Sequence, residues 1–245
     1  MKEHSNITCG ILSPLDLSSS SHGSQVLELL SRYGWLIPTN IGNFEPIRGE
    51  YRGLADGLKA WKDPFLWKNT ASKLKGSVWF GHGEQHSNLY LRLKPRRVSL
   101  IQDDLVNFLI EACGVLRADM GYIHLTTHSE MEDKSIPYEY SYAIDTGLTT
   151  HDLRKGIPNI CRAMVFGIRY KSIAERFENA SPLSKFCEIP AKNQWFIQLS
   201  PSLDDLRVGY DTFSANRKKL IDEVGSDFIS YSGGAEWKPI FTFGK

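Results

Sequence analysis

The feature that most restricts the fold lies between Gly76 and Thr127, where apolar residues repeat every two positions, then at helical spacing, then every two again. "SVWF" (Ser77–Phe80) and "LYLRL" (Leu89–Leu93) are strand-like, and the polar, glycine-bearing segment between them predicts a hairpin. In "LIQDDLVNFLIEACGVLRA" the residues Leu105, Phe108, Leu109, Ala112 and Leu116 fall on one helical face. Asp103 and Asp104 stand in the first turn of that helix, where carboxylates complement its dipole. "GYIHLTT" follows as another strand. Strand, strand, helix, strand is α+β grammar: a mixed or antiparallel sheet with helices packed on it.

The rest of the chain fits that frame. "QVLELLSRYGW" predicts a helix from Gln25 with Gly34 as its stop, and "GLADGLKAWKDPFLWKN" a short helix ended by Pro64. "LIPTNIGNFEPI" reads as extended and turn-rich. "GIPNICRAMVFG" leads into the amphipathic "YKSIAERF". "NQWFIQLSP" is a strand, "DTFSANRKKLIDEVG" a helix ending at Gly225, and "DFISYS" and "KPIFTF" are late strands. Asp204 and Asp205 read as another helix start, and the tryptophans mostly as core anchors. Residues 1–23, with their serine cluster, are expected to be a flexible segment before a single α+β domain spanning 24–245. The order of elements is also compatible with two related halves, 24–128 and 147–245. Between them, "HSEMEDKSIPYEYSYAIDTGLTTHD" shows no clear period. It predicts an exposed acidic loop followed by a short strand, with Tyr138, Tyr140 and Tyr142 alternating.

Composition bounds the class. With 41% apolar and 23% charged residues the chain is globular in type, and a net charge of +1 argues against a general nucleic-acid binder. Lys94, Arg96 and Arg97 read as a solvated strand edge. No apolar run approaches the roughly 20 residues of a membrane helix. The N-terminus lacks the apolar region of a secretory signal, so a cytoplasmic location is expected. Cys9 follows "NIT", a faint echo of a lipoprotein cleavage site. Cys113 and Cys161 read as buried free thiols, and no C-x-x-C pair occurs.

The most chemical stretch is "GHGEQH", holding His82, Glu84 and His86. A helical zinc motif places glutamate beside the first of two histidines one turn apart; here glutamate is displaced and two glycines oppose a helix. On a strand the three side chains would share a face, which keeps open a metal-dependent enzyme, with His124 or His128 approaching from a neighbouring strand. The turn formers around them favour a hairpin loop without a metal. His124 reads as a histidine at the edge of the core. The chain has no nucleophile elbow, phosphate loop or dinucleotide fingerprint.

The order "LELLSRYGWLIPTNIGNFEP", "WFGHG…SNLYLRL", "MGYIHL", "LRKGIPNICRAMVFGIRYKSIAERF" and "KKLIDEVGSDFI" resembles immunity proteins of bacterial polymorphic toxin systems, the immunity protein 52 group in particular. The resemblance covers residues 24 to 242 and is carried by structural positions: Tyr33-Gly34-Trp35, Gly156-Ile157-Pro158 before Phe166-Gly167, and Gly225 with Asp227-Phe228. It implies a non-enzymatic protein without cofactor that binds one cognate toxin domain in the bacterial cytoplasm and blocks its active site. It implies no nucleic-acid or membrane partner. The expected contact residues are Glu130, Glu132, Asp133, Tyr138, Glu139 and Tyr140, which suit a basic partner, and the hairpin tip at His82, Glu84 and His86. An adaptor subunit of a defence or secretion complex is the other binding role left open.

Overall fold

The computed structural model describes residues 6–94, 101–180, 183 and 185–230. Arg96, Arg97 and the expected strand "KPIFTF" lie outside them. Ten strands form one antiparallel sheet in the order β3-β2-β4-β5-β6-β1-β7-β8-β10-β9, and nine helices pack on it among the described residues. The α+β expectation holds. The strands are β1 (Asn6–Ser13), β2 (Asn40–Gly42), β3 (Gly49–Glu50), β4 (Phe65–Asn69), β5 (Leu74–Trp79), β6 (Ser87–Leu93), β7 (Met120–Thr126), β8 (Ala163–Phe166), β9 (Lys185–Ile189) and β10 (Gln194–Gln198). The helices are α1 (Ser20–Ser31), α2 (Leu54–Lys59), α3 (Gln102–Val115), α4 (His128–Glu132), α5 (Tyr138–Thr146), α6 (Thr150–Leu153), α7 (Lys171–Ala174), α8 (Asp204–Val208) and α9 (Tyr210–Val224).

The largest correction concerns the N-terminus. The expected flexible segment supplies β1, which pairs with β6 on one side and β7 on the other and is buried along its whole length. Ile7, Cys9 and Ile11 occupy one face; Thr8, Gly10 and Leu12 occupy the other. Gly10 is required there, because a Cβ would stand 2.4 Å from the Tyr122 ring. Cys9 is wholly buried in this strand, a packing position. The serine cluster is also structural: Ser19 caps α1 by accepting the His22 amide, so the helix begins five residues before the expected start. That helix ends at Ser31 without Gly34 turning left-handed.

The first face of the sheet is covered from β4 to β7. Leu109 and Cys113 of α3 press on Gly121 of β7, while Leu27 of α1 meets Gly57 of α2 and Trp61 joins Phe65 and Phe80. On the second face α5 covers β1 and β7, α9 reaches His124 through Phe213, and Phe166 stacks on Tyr170 and Phe177. Over β4 and β5 this second face is open, with Lys75 and Trp79 exposed. "DFISYS" is no strand in its described part; Ile229 makes only an isolated parallel bridge to Ile157. Among the described residues the second half therefore shows no strand that would mirror β7.

Removing residues 1–13 should abolish soluble expression or cooperative unfolding, because β6 and β7 would each lose their ladder partner. A truncated chain with an unchanged urea midpoint would show instead that this segment is dispensable.

Candidate functional site

The segment after β7 folds as helices rather than as an acidic loop and strand. Thr127 caps α4 by accepting the Glu130 amide, and α5 starts after Pro137. Tyrosines at alternate positions suit a helix as well as a strand, since Tyr138 and Tyr142 are also four apart. They stack at 5.7 Å, 57% and 49% exposed, while Ser141, Ile144 and Asp145 face inward.

Glu130, expected on the surface, is 2% exposed and forms the centre of a buried ion cluster. His124 Nε2 lies 2.6 Å from Glu130 Oε2, and Arg217 Nη1 donates to Oε1 at 2.7 Å. The Arg162 amide donates to His124 Nδ1 at 3.3 Å, which directs Nε2–H toward the carboxylate. Burial pushes the Glu130 carboxyl up, but the charges and hydrogen bonds of His124 and Arg217 outweigh it and hold it down at about 2. Arg217 Nη2 continues to Tyr210 OH at 3.2 Å, and that hydroxyl donates to Asp133 at 2.8 Å. Asp133 also accepts from Ser135 and Ser214. The network pins α4 and the following turn to α9.

Above it opens a groove of about 760 Å³ between α4, residues 133–136 and α9. Glu132, Asp133, Asp211 and Asp222 line it against Lys218 and the committed Arg217, and Ile136 and Ile221 give it apolar wall. Glu132 is exposed, with His128 at 3.1 Å. Tyr138 and Glu139 are exposed on the adjoining α5, and Tyr140 OH donates to the Ser230 carbonyl at 3.4 Å. Glu132 and Asp133 thus line the groove with Glu130 beneath them, while Tyr138, Glu139 and Tyr140 belong to the helix that follows.

The other expected contact, the hairpin tip, is dispersed. His82 faces Asp63 at 3.6 Å, Glu84 pairs with Arg154 at 3.3 Å, and His86 is buried. His86 Nε2 meets Asp119 at 3.0 Å, and its amide and Nδ1 both meet the Thr150 hydroxyl. Arg169 donates to the same Asp119 oxygen at 2.8 Å. This cluster fastens the β5–β6 loop to α6 and to the start of β7. It also disposes of the three-residue metal set, whose side chains go to three separate partners. No group of three potential ligands is placed to hold a metal among the described residues.

The fold is similar to that of a solved structure. It is the Pseudomonas aeruginosa T6SS protein PA0821, with a TM-score of 0.57 and 14% identity over 98% of this chain and 79% of that one. At that identity the likeness is one of fold. No protein-family profile and no curated protein matches the chain. No described helix is long and apolar enough to cross a membrane.

Arg217 was overlooked in the sequence although it leaves a trace. It falls in the buried stripe of α9 with Phe213, Leu220, Ile221 and Val224, and a cation in such a stripe requires a buried anion. Because the folded-state pKa of Glu130 is depressed, its contribution is present above about pH 4.5 and is lost as pH falls toward about 2. Urea unfolding from pH 6 to pH 2 should show stability falling through this window, and Glu130→Gln should flatten the decline. An unchanged slope in the variant would mean that other carboxylates govern acid sensitivity.

Proposed function

We propose that this chain is an immunity protein that binds a cognate bacterial toxin domain in the cytoplasm and neutralises it by stoichiometric occlusion. The observation that carries the reading is the acid-lined groove between α4 and α9 beside an exposed, stacked tyrosine pair. Tyrosines give large contact area at low entropy cost, and acidic side chains steer a basic partner and set its register. The buried Glu130–Arg217–His124 cluster holds the groove walls in place before binding, which lowers the ordering cost of association. The sequence resemblance supplies the biological class, and the fold likeness to a T6SS protein is compatible with a toxin-associated setting.

The test is co-expression with the C-terminal toxin domain encoded beside this chain. The wild type should rescue growth and co-purify at fixed stoichiometry. A Glu132→Lys, Asp211→Lys, Asp222→Lys variant should bind at least tenfold more weakly, with its own unfolding midpoint retained. Failure of the wild type to rescue or to form a complex would refute the proposal.

A further inference from the structure

The open second face of the sheet has a composition of its own. Lys68 of β4 stands directly opposite Lys75 of β5, which stands opposite Arg92 of β6. Neighbouring strands are about 4.8 Å apart, so three cations side by side repel. Two are balanced: Glu45 sits 2.8 Å from Lys75 and Asp145 of α5 sits 2.9 Å from Arg92. Lys68 has no ion pair within 4 Å among the described residues; it shares with Lys75 the field of Glu45, whose carboxyl both cations hold down. Alongside runs a second row of Leu66, Ser77 and Tyr90, and beyond it Trp79, 52% exposed, with Phe44 at 76% in the β2–β3 loop that also carries Glu45.

This face is continuous with the groove through α5. At one end of that helix Tyr138 follows Ile136 of the groove wall; at the other Asp145 holds Arg92, and its carbonyl accepts from Tyr90 OH. The groove by itself is too small for an occluding partner. Fourteen residues line it, against the roughly 20–30 on each side of a standard interface.

We infer that the partner's interface continues from the groove across the tyrosines of α5 onto the outer face of β4–β6. The partner segment docking there carries a carboxylate for Lys68 beside an apolar side chain for Trp79 and Leu66. This rests on the binding function proposed above, and it makes the partner surface two-signed: basic toward the groove, acidic and apolar toward the sheet. A nucleic-acid backbone fits poorly, because Glu45 and Asp145 on the same face would repel its phosphates.

The experiment uses the co-purified complex and titration calorimetry of the separated chains. Lys68→Glu and Trp79→Ala should each raise Kd at least tenfold and together disrupt co-purification, while Glu28→Lys on α1, over the opposite face, leaves Kd unchanged. Both side chains are solvent-facing, so the unfolding midpoints should stay at wild type. A complex whose Kd ignores the double variant but responds to the groove reversals overturns the inference and leaves the binding function standing. The inference also falls if a single-stranded oligonucleotide binds the free protein and both substitutions abolish that binding. No complex with the wild type overturns the proposed function, and the inference with it.

Discussion

Everything in the molecule hangs on the ladder that β1 forms with β6 and β7. To one side lie β6, β5, β4 and the short β2–β3 pair; to the other lie β7, β8, β10 and β9. Among the described residues only β1 hydrogen-bonds to both groups, so the eight residues Asn6–Ser13 turn two partial sheets into one. Their side chains are small where neighbours are large, as at Gly10 under Tyr122, and this lets helices pack on both faces of the same strand. An antiparallel sheet can leave one face to water. Here it does so only on the β4–β5 side, which separates a thickly covered region from an open one.

The buried polar groups serve that division. The Glu130 and His86 clusters both fix segments that follow or precede β7, one on each side of the α5–α6 region. Each anchors a different helix to the sheet with charge-assisted hydrogen bonds that water cannot reach, where such bonds are strong and losing one partner is expensive. The segment from Glu130 to Leu153 is thereby held at both ends while its outer surface stays polar and tyrosine-bearing.

Strands and helices with strong periods were legible: the β5–β6 hairpin, α3, β7, β10 and α9 all stand where the apolar pattern puts them. The failures have physical causes. β1 is buried on both faces, so it has no polar alternation, and its Gly and Thr resemble a linker until Tyr122 is known to lie above. α5 was hidden because its three tyrosines fit either period. The candidate surface was half visible. Glu132 and Asp133 do line the groove, but Asp211 and Asp222 come from α9 and enter only through tertiary packing. Glu130 and His86 were misplaced because sequence shows an ionisable residue without showing the Arg217 or Asp119 that draws it inside.

The position of β1 also has a temporal meaning. It precedes both of its partners in the chain, and they end at Leu93 and Thr126. At about 5–20 residues per second, roughly 6–25 s of translation separate its emergence from completion of β7. Until β6 is complete this apolar strand, carrying the thiol of Cys9, has no native partner, and one of its edges stays bare until β7 is made. The nascent chain is therefore open to wrong pairing at this strand until β7 follows, and closure of the sheet waits on the ribosome.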